Sequence, residues 1–216
     1  MMAGSTAGDA YLKSKPKTKR GEETLTRLCE VAEELFTTKN FYGASVNEIA
    51  LKAGISIGTF YIYFDSKLNL YRYLVMQYSR QLRKYIAVRL AEKELSSRYE
   101  AEREGIKLFL DFCVEHPAIF PIVWQSLYIT PDLFIKYYDE VGKHYEKQLA
   151  EAIRTGEVHP VNLEVASYVL MAASNFLTLK YVTFGPPSGL PEEQVYRIID
   201  DLMFILKNGL FTDNDE

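Results

Sequence analysis

Apolar residues recur every three or four positions along most of this chain, and no stretch alternates as a half-buried strand would. Leu25, Leu28, Cys29, Ala32, Leu35 and Phe36 form the first stripe and predict a helix over about 22–39, closed by the turn Asn40-Phe41-Tyr42-Gly43. Two short segments follow. Ser45 begins the first, with Glu48 three residues on as in a capping box, and Ile49 and Ala50 point inward. Gly54 stands where a helix ends and a positive φ is often needed. Ser56 is a good N-cap for the second, whose inner face is Phe60, Tyr63 and Phe64. Ser66 caps a long helix to about Leu95, with Leu70, Leu74, Tyr78, Leu82 and Tyr85 along one face.

The remaining pattern stays helical. Helices are expected over about 97–115, 117–128, 131–155, 163–184 and 192–210, with Gly185-Pro186-Pro187-Ser188-Gly189 as a clear breaker before the last. The expected fold is all-α, about nine helices. Residues 1–14 are rich in small residues and expected to be disordered, and a basic run follows at Lys13, Lys15, Lys17, Lys19 and Arg20. That run reads either as a solvated tail or as an arm along a nucleic-acid backbone.

The spacing over Ser45–Phe64 is that of a helix-turn-helix, in which the second helix offers its first residues to base edges. The same stretch resembles the DNA-binding head of the tetracycline-repressor-like (TetR/AcrR) regulators. The resemblance rests on Ala32-Glu33-Glu34-Leu35-Phe36, Ser45-Val46, Glu48-Ile49-Ala50, Ala53-Gly54-Ile55-Ser56, Gly58-Thr59-Phe60-Tyr61, Tyr63-Phe64 and Ser66-Lys67, and covers about residues 20–75. Three positions depart from the family pattern. Ile57 stands where a basic residue is common, Ile62 where histidine is common, and Asn40 where glycine is usual. The resemblance implies a three-helix head, a helical ligand-binding domain and a two-fold dimer. The expected division is a flexible basic arm at 1–19, the head at 20–65, and a ligand-binding and dimerisation domain at 66–216, with the long helix from Ser66 as a lever between them.

Charge agrees with this division. The net charge of −4 hides a basic first part, with 13 Lys and Arg against 8 Asp and Glu in residues 1–84, and an acidic remainder with 12 against 21. The candidate DNA-contacting residues are Ser45, Ser56, Ile57, Gly58, Thr59, Tyr61, Tyr63 and Lys67. By resemblance Gly58 and Thr59 approach bases or phosphates, and Tyr61 and Tyr63 reach phosphates. Ser45 lies at a helix N-terminus, where an anion is favoured. Core packing is the competing reading of Tyr63, and a solvated charge that of Lys67.

The second domain is unusually aromatic. Phe109, Phe112, Phe120, Trp124, Tyr128 and the polar Asn175 are candidates for a pocket that takes a small apolar or amphipathic ligand, with plain core as the alternative. Gln125 and Asn175 are amides within apolar helices and need partners, whether a backbone group or a ligand. Val169, Ala173, Leu177, Val195, Ile198, Ile199, Leu202 and Ile205 give the last two helices a wider apolar circumference than one chain can bury, which suggests a homodimer interface.

Cys29 and Cys113 are far apart and read as thiols in a reducing cytosol; His116, His144 and His159 lack metal-ligand spacing. No cofactor is expected, and neither a nucleophile elbow nor a phosphate-binding glycine loop occurs. The uncharged run Val165–Leu179 has 15 residues with Ser and Asn inside, too short to span a membrane. The expectation is therefore a cytoplasmic, ligand-responsive regulator, a repressor bound as a dimer to a palindromic duplex operator. Two other readings compete: a helical enzyme or carrier with a vestigial head, and a non-specific structural DNA binder.

Overall fold

The computed structural model describes residues 7–186 and 189–208. Nine α-helices occur among them and no strand. They are α1 (Lys19–Gly43), α2 (Val46–Lys52), α3 (Ile57–Tyr63), α4 (Lys67–Ala91), α5 (Arg98–Glu115), α6 (Ile119–Ile129), α7 (Pro131–Arg154), α8 (Leu163–Thr178) and α9 (Glu192–Asn208). A 3-10 turn at Ala7–Tyr11 precedes them, and a π turn at Leu179–Thr183 extends α8. The chain forms two compact units. One is Met1–Gln81 with Ala118–Asp139; the other is Leu82–Pro117 with Glu140–Glu216. The divisions fall inside α4, between α5 and α6, and inside α7.

In the first unit, Leu28, Ala32 and Phe36 of α1, Ile49 of α2, Phe60 of α3, and Leu70 and Tyr71 of α4 are almost fully buried together with Ile122 of α6. A break in α1 is the hinge of this packing. Asn40 has φ 56° and ψ 176°, a region almost reserved for glycine. Its side-chain oxygen accepts from the N–H groups of Tyr42 (3.0 Å) and Gly43 (3.1 Å), which supports the strained turn. The break frees backbone groups, and three side chains meet them or their neighbours. Gln125 donates to Phe36 O and accepts from Phe41 N–H, both at 3.3 Å. Lys67 Nζ donates to Phe41 O and Ala44 O, both at 2.6 Å. Tyr71 donates to Ile122 O from α6 and packs edge-on against Phe36 and Phe41. The amide of Gln125 thus finds backbone partners.

The expected disorder of residues 1–14 does not hold from Ala7 onward. Gly8 is buried against Met76 and Gln77 of α4, Lys13 N–H donates to Tyr63 O at 2.8 Å, and Lys13 pairs with Asp65 at 2.9 Å. Leu12, Tyr11 and Gly8 supply contacts that a composition count overlooks. Met1–Thr6 of the expected arm lie outside the described residues.

In the second unit, Ile106 and Leu110 of α5 pack with Ile199 and Met203 of α9. Arg103 makes two hydrogen bonds to Asp200, at 2.6 and 3.1 Å, beside this core. The inner face of α8 carries small polar residues, Ser167, Ser174 and Thr178, with Met171. Ser167 and Ser174 return their hydroxyls to carbonyls of their own helix, so they can be buried at a close helix contact. Gly142 of α7 lies there; a Cβ on it would stand 3.4 Å from Met171 and 3.7 Å from Ser167. The π turn carries the helical run from Leu163 to Thr183, 21 residues of mean hydropathy 1.2. By length and composition that run is sufficient to cross a membrane, which corrects the estimate from the 15-residue uncharged stretch alone. An apolar helix at a protein interface meets the same criterion.

Candidate nucleic-acid interface

The head is assembled from locally satisfied ends. Ser45 Oγ accepts from Glu48 N–H at 3.1 Å and starts α2; Ser56 Oγ accepts from Thr59 N–H at 3.0 Å and starts α3. Between them Ala53 N–H reaches Ile49 O at 2.9 Å and Ile55 N–H reaches Ala50 O at 3.0 Å, while Gly54 takes φ 66°. Arg27 of α1 donates to Ala53 O at 2.8 Å, which fixes the turn to the helix behind it. Phe60 and Phe64 have no exposed surface. The two short helices therefore hold a set angle, fixed by their own caps and turn and by Arg27 of α1.

What this scaffold leaves outside is informative. Ser45, Ser56, Ile57, Gly58 and Tyr61 are exposed, and Thr59 is half-buried with its hydroxyl 2.9 Å from that of Ser56. All but Ser45 lie on or at the start of α3, so they form one surface. Tyr63 and Lys67 are placed differently. Tyr63 is buried and donates to Gly21 O at 3.2 Å, the core position that competed for it in the sequence. Lys67 is a brace: besides its two carbonyls, its ammonium lies 4.3 Å from the centre of the Phe41 ring, and burial lowers its pKa. Tyr42 at the end of α1 (74% exposed), Leu51 of α2 (82%) and Ile62 of α3 (55%) were not among the sequence candidates, yet they are large apolar groups left in solvent. Their signal was available, since none fits the inward stripe of its segment.

The ligand candidates fall in both units. Phe120 and Trp124 stack in the first unit at 5.3 Å, with Phe134 6.5 Å from Trp124, and Tyr128 of the same helix is 82% exposed. Phe109, Phe112 and Asn175 belong to the second unit. Phe112 is buried against Tyr85 and His116, Phe109 is half-buried, and Asn175 Nδ2 donates to Met171 O at 2.7 Å. None of the six lines either of two clefts found in the second unit. One cleft, about 600 Å³, lies among α5, the π turn and the start of α9, with Leu110, Cys113, Val182 and Val195 in its wall. The other, about 270 Å³, is bounded by one face each of α4, α5 and α7. Burial pushes the thiol of Cys113 up to about 12, so it is an inert wall group.

The candidate dimer residues divide by exposure. Val169 (52%) and Ile205 (43%) are open, Ala173, Leu177, Val195, Ile198 and Leu202 are half-buried, and Ile199 is fully buried in the core of its own unit. Ile199 therefore has no surface to offer a partner. Val165, Val169, Ala172 and Phe176 form an exposed stripe on α8 that the sequence candidates only touched.

Residues 28–74 match the model of the family described as "Bacterial regulatory proteins, tetR family". The HTH-type transcriptional regulator YdgC of Bacillus subtilis is 32% identical over 193 residues, covering 83% of this chain and 93% of that protein. The chain belongs to the tetR family of bacterial regulatory proteins. It is a helix-turn-helix transcriptional regulator with the all-α fold of that family. Among solved structures, a TetR-family regulator of Syntrophomonas wolfei superposes with a TM-score of 0.76 at 18% identity, over 89% of this chain and 99% of that one. FadR of Bacillus subtilis, solved with stearoyl-CoA, superposes with a TM-score of 0.69 at 16% identity, over 86% and 99%. At these identities the likeness is one of fold.

Proposed function

We propose that this protein is a repressor that binds a palindromic duplex operator as a homodimer and leaves it when a small apolar or amphipathic ligand occupies the second unit. The observation that carries the DNA reading is the exposed surface of α3. Ser56, Ile57, Gly58, Thr59 and Tyr61 stand together on a helix whose ends, turn and inner face are already satisfied. Gly58 allows close approach of the backbone to DNA, Ile57 suits the methyl group of a thymine, and the hydroxyls of Ser45 and Tyr61 suit phosphates. Tyr42 joins them as an exposed aromatic in the last turn of α1, just before α2. Lys67 and Tyr63 act behind this surface by holding it in position.

The exposed stripe Val165, Val169, Ala172 and Phe176, with Phe204 and Ile205 of α9, supports the dimer. A second copy covering that stripe also accounts for the apolar run of α8 without a membrane, in keeping with a cytoplasmic protein. Helix α4 supplies side chains to both units and is the proposed carrier of the ligand signal. That FadR of Bacillus subtilis was solved with stearoyl-CoA supports a ligand of apolar character. The test is selection of bound duplexes from random DNA, followed by a salt titration of the enriched site. A palindromic site with half-sites one helical turn apart, bound by a dimer with steep salt dependence, is expected. Failure to enrich any sequence would overturn the reading in favour of a structural DNA binder.

A further inference from the structure

The smaller cleft of the second unit is assembled from three regular helix faces. Leu82, Ile86 and Leu90 come from α4, Arg98, Ala101, Glu102 and Gly105 from α5, and Val141, His144, Tyr145 and Gln148 from α7. Each set recurs at three- or four-residue steps, so the cleft is a designed meeting of faces rather than a gap at a helix end. Gly105 is unusual in it. Glycine weakens the interior of a helix, and it is normally retained there for a close neighbour. Here a Cβ on Gly105 would meet no heavy atom within 4 Å. The side chain that glycine omits is cavity volume.

One end of the cleft is apolar and the other carries a buried charge cluster. Glu102, 7% exposed, accepts from Arg98 Nη2 and from the Tyr145 hydroxyl at 3.2 Å. Arg98 Nη1 donates to Gln148 at 3.1 Å, while the third donor position, Nε, is buried without an acceptor among the described residues. The guanidinium therefore has more donors than the chain supplies with acceptors. The cations of the wall are paired, Arg83 with Glu140 at 3.3 Å and Arg98 with Glu102, so the lining carries no unpaired carboxylate to hold a cation. Burial and the charges of Arg83, Lys147 and Arg98 all lower the pKa of His144, and Glu102 is already taken by two partners. A cation would have to displace Arg98 from Glu102, whereas an anion meets a guanidinium with an unmade bond.

We propose that this cleft takes a small apolar monocarboxylate, with its tail along Leu82, Ile86, Leu90 and Gly105 and its carboxylate on the guanidinium of Arg98. This rests on the ligand-responsive reading above and names the class of ligand. At about 270 Å³ the cleft lies just under the range of pockets for drug-sized ligands, roughly 300–1,000 Å³, so the free acid fits its scale better than a coenzyme A thioester does.

Calorimetry on the full chain with three probes of one tail length, octanoate, 1-octanol and octylammonium, tests it. Octanoate is expected to bind roughly tenfold or more tighter than octanol, as a desolvated charge-assisted bond would give, and octylammonium not to bind. Arg98→Gln should bring octanoate down to the level of octanol, and Gly105→Leu should abolish both. Where Gly105→Leu fails to fold, Gly105→Ala, whose methyl has room, should weaken octanoate severalfold while raising Tm. Octylammonium binding as tightly as octanoate, no octanoate binding, or affinity unmoved by a folded Gly105 variant overturns the proposal. Operator binding is read in parallel. Intact operator binding with no octanoate binding overturns the ligand class alone, whereas octanoate that binds without weakening the operator complex supports the cleft and overturns the regulatory reading.

Discussion

The two units of this protein solve opposite problems with the same helical material. In the first, several backbone groups around the break in α1 are met by side chains: Asn40 within the turn, Gln125 from α6 and Lys67 from α4. The second unit leaves work undone. Among the described residues it keeps at least two clefts, a guanidinium whose Nε is buried without an acceptor, and an apolar stripe on α8 in solvent. A surface that reads DNA gains from having its geometry set beforehand, because any freedom must be lost on binding. A unit that senses a ligand and a partner must instead hold interactions in reserve for them. The contrast lies in clefts and exposed apolar surface rather than in single donors, since Arg72 Nε of the first unit and Arg98 Nε of the second are alike buried without an acceptor among the described residues.

The largest expected effect would break the second half of this contrast. Val169→Asp with Phe176→Asp places charge on the exposed stripe of α8, and should give folded monomers whose operator affinity is lower by roughly 100-fold or more. Sedimentation and a mobility shift read the two consequences; variants that remain dimers at micromolar concentration would leave the stripe without its assigned partner. Next comes the reading surface. Tyr61→Ala should cost about 1–3 kcal/mol of specific binding with Tm unchanged, because its ring is exposed. Lys67→Met should do the reverse in kind. It lowers Tm, since two carbonyls lose a charged donor worth about 1.5–3 kcal/mol in favourable cases, and DNA binding at low temperature falls less than in Tyr61→Ala. Equal thermal stability in Lys67→Met and the parent would show that the brace contributes nothing.

Smaller again is the strain at Asn40. Asn40→Gly removes the side-chain bonds but also the strain of a non-glycine residue at φ 56°, and the two changes nearly cancel. Asn40→Ala removes the bonds and keeps the strain. Chemical denaturation should therefore find Asn40→Ala less stable than Asn40→Gly by about 1–2 kcal/mol. Comparable stability would mean that the turn rearranges. The least effect concerns acid. Burial and nearby cations hold the pKa of His144 below its ordinary 6.5, so below that pH the unfolded chain binds the extra proton more readily than the folded one. This contribution is present above 6.5 and lost as pH falls through that value toward the lowered one. His144→Gln should flatten the fall in Tm over that window; an unchanged slope would assign it to other groups.

What the residues alone determined was what is local. Caps at Ser45, Ser56 and Ser66, the positive φ at Gly54 and the inward Phe60 and Phe64 act over a few residues, so the head and its exposed α3 surface could be read directly, as could nine helices with no strand. The tertiary structure decided which polar side chains are spent. Lys67 reads as a phosphate contact by its place in the motif, yet it serves carbonyls 23 and 26 residues away. Gln125 reaches back 84 and 89 residues. The aromatic residues expected to form one pocket are divided between units, because aromatic content measures apolar surface and says nothing of which surfaces meet. The cleft that does form depends on Arg98, Glu102, Gly105 and Tyr145, ordinary helix residues in sequence. Their significance lies in charge, space and an unused donor, and those arise only when three distant helix faces converge.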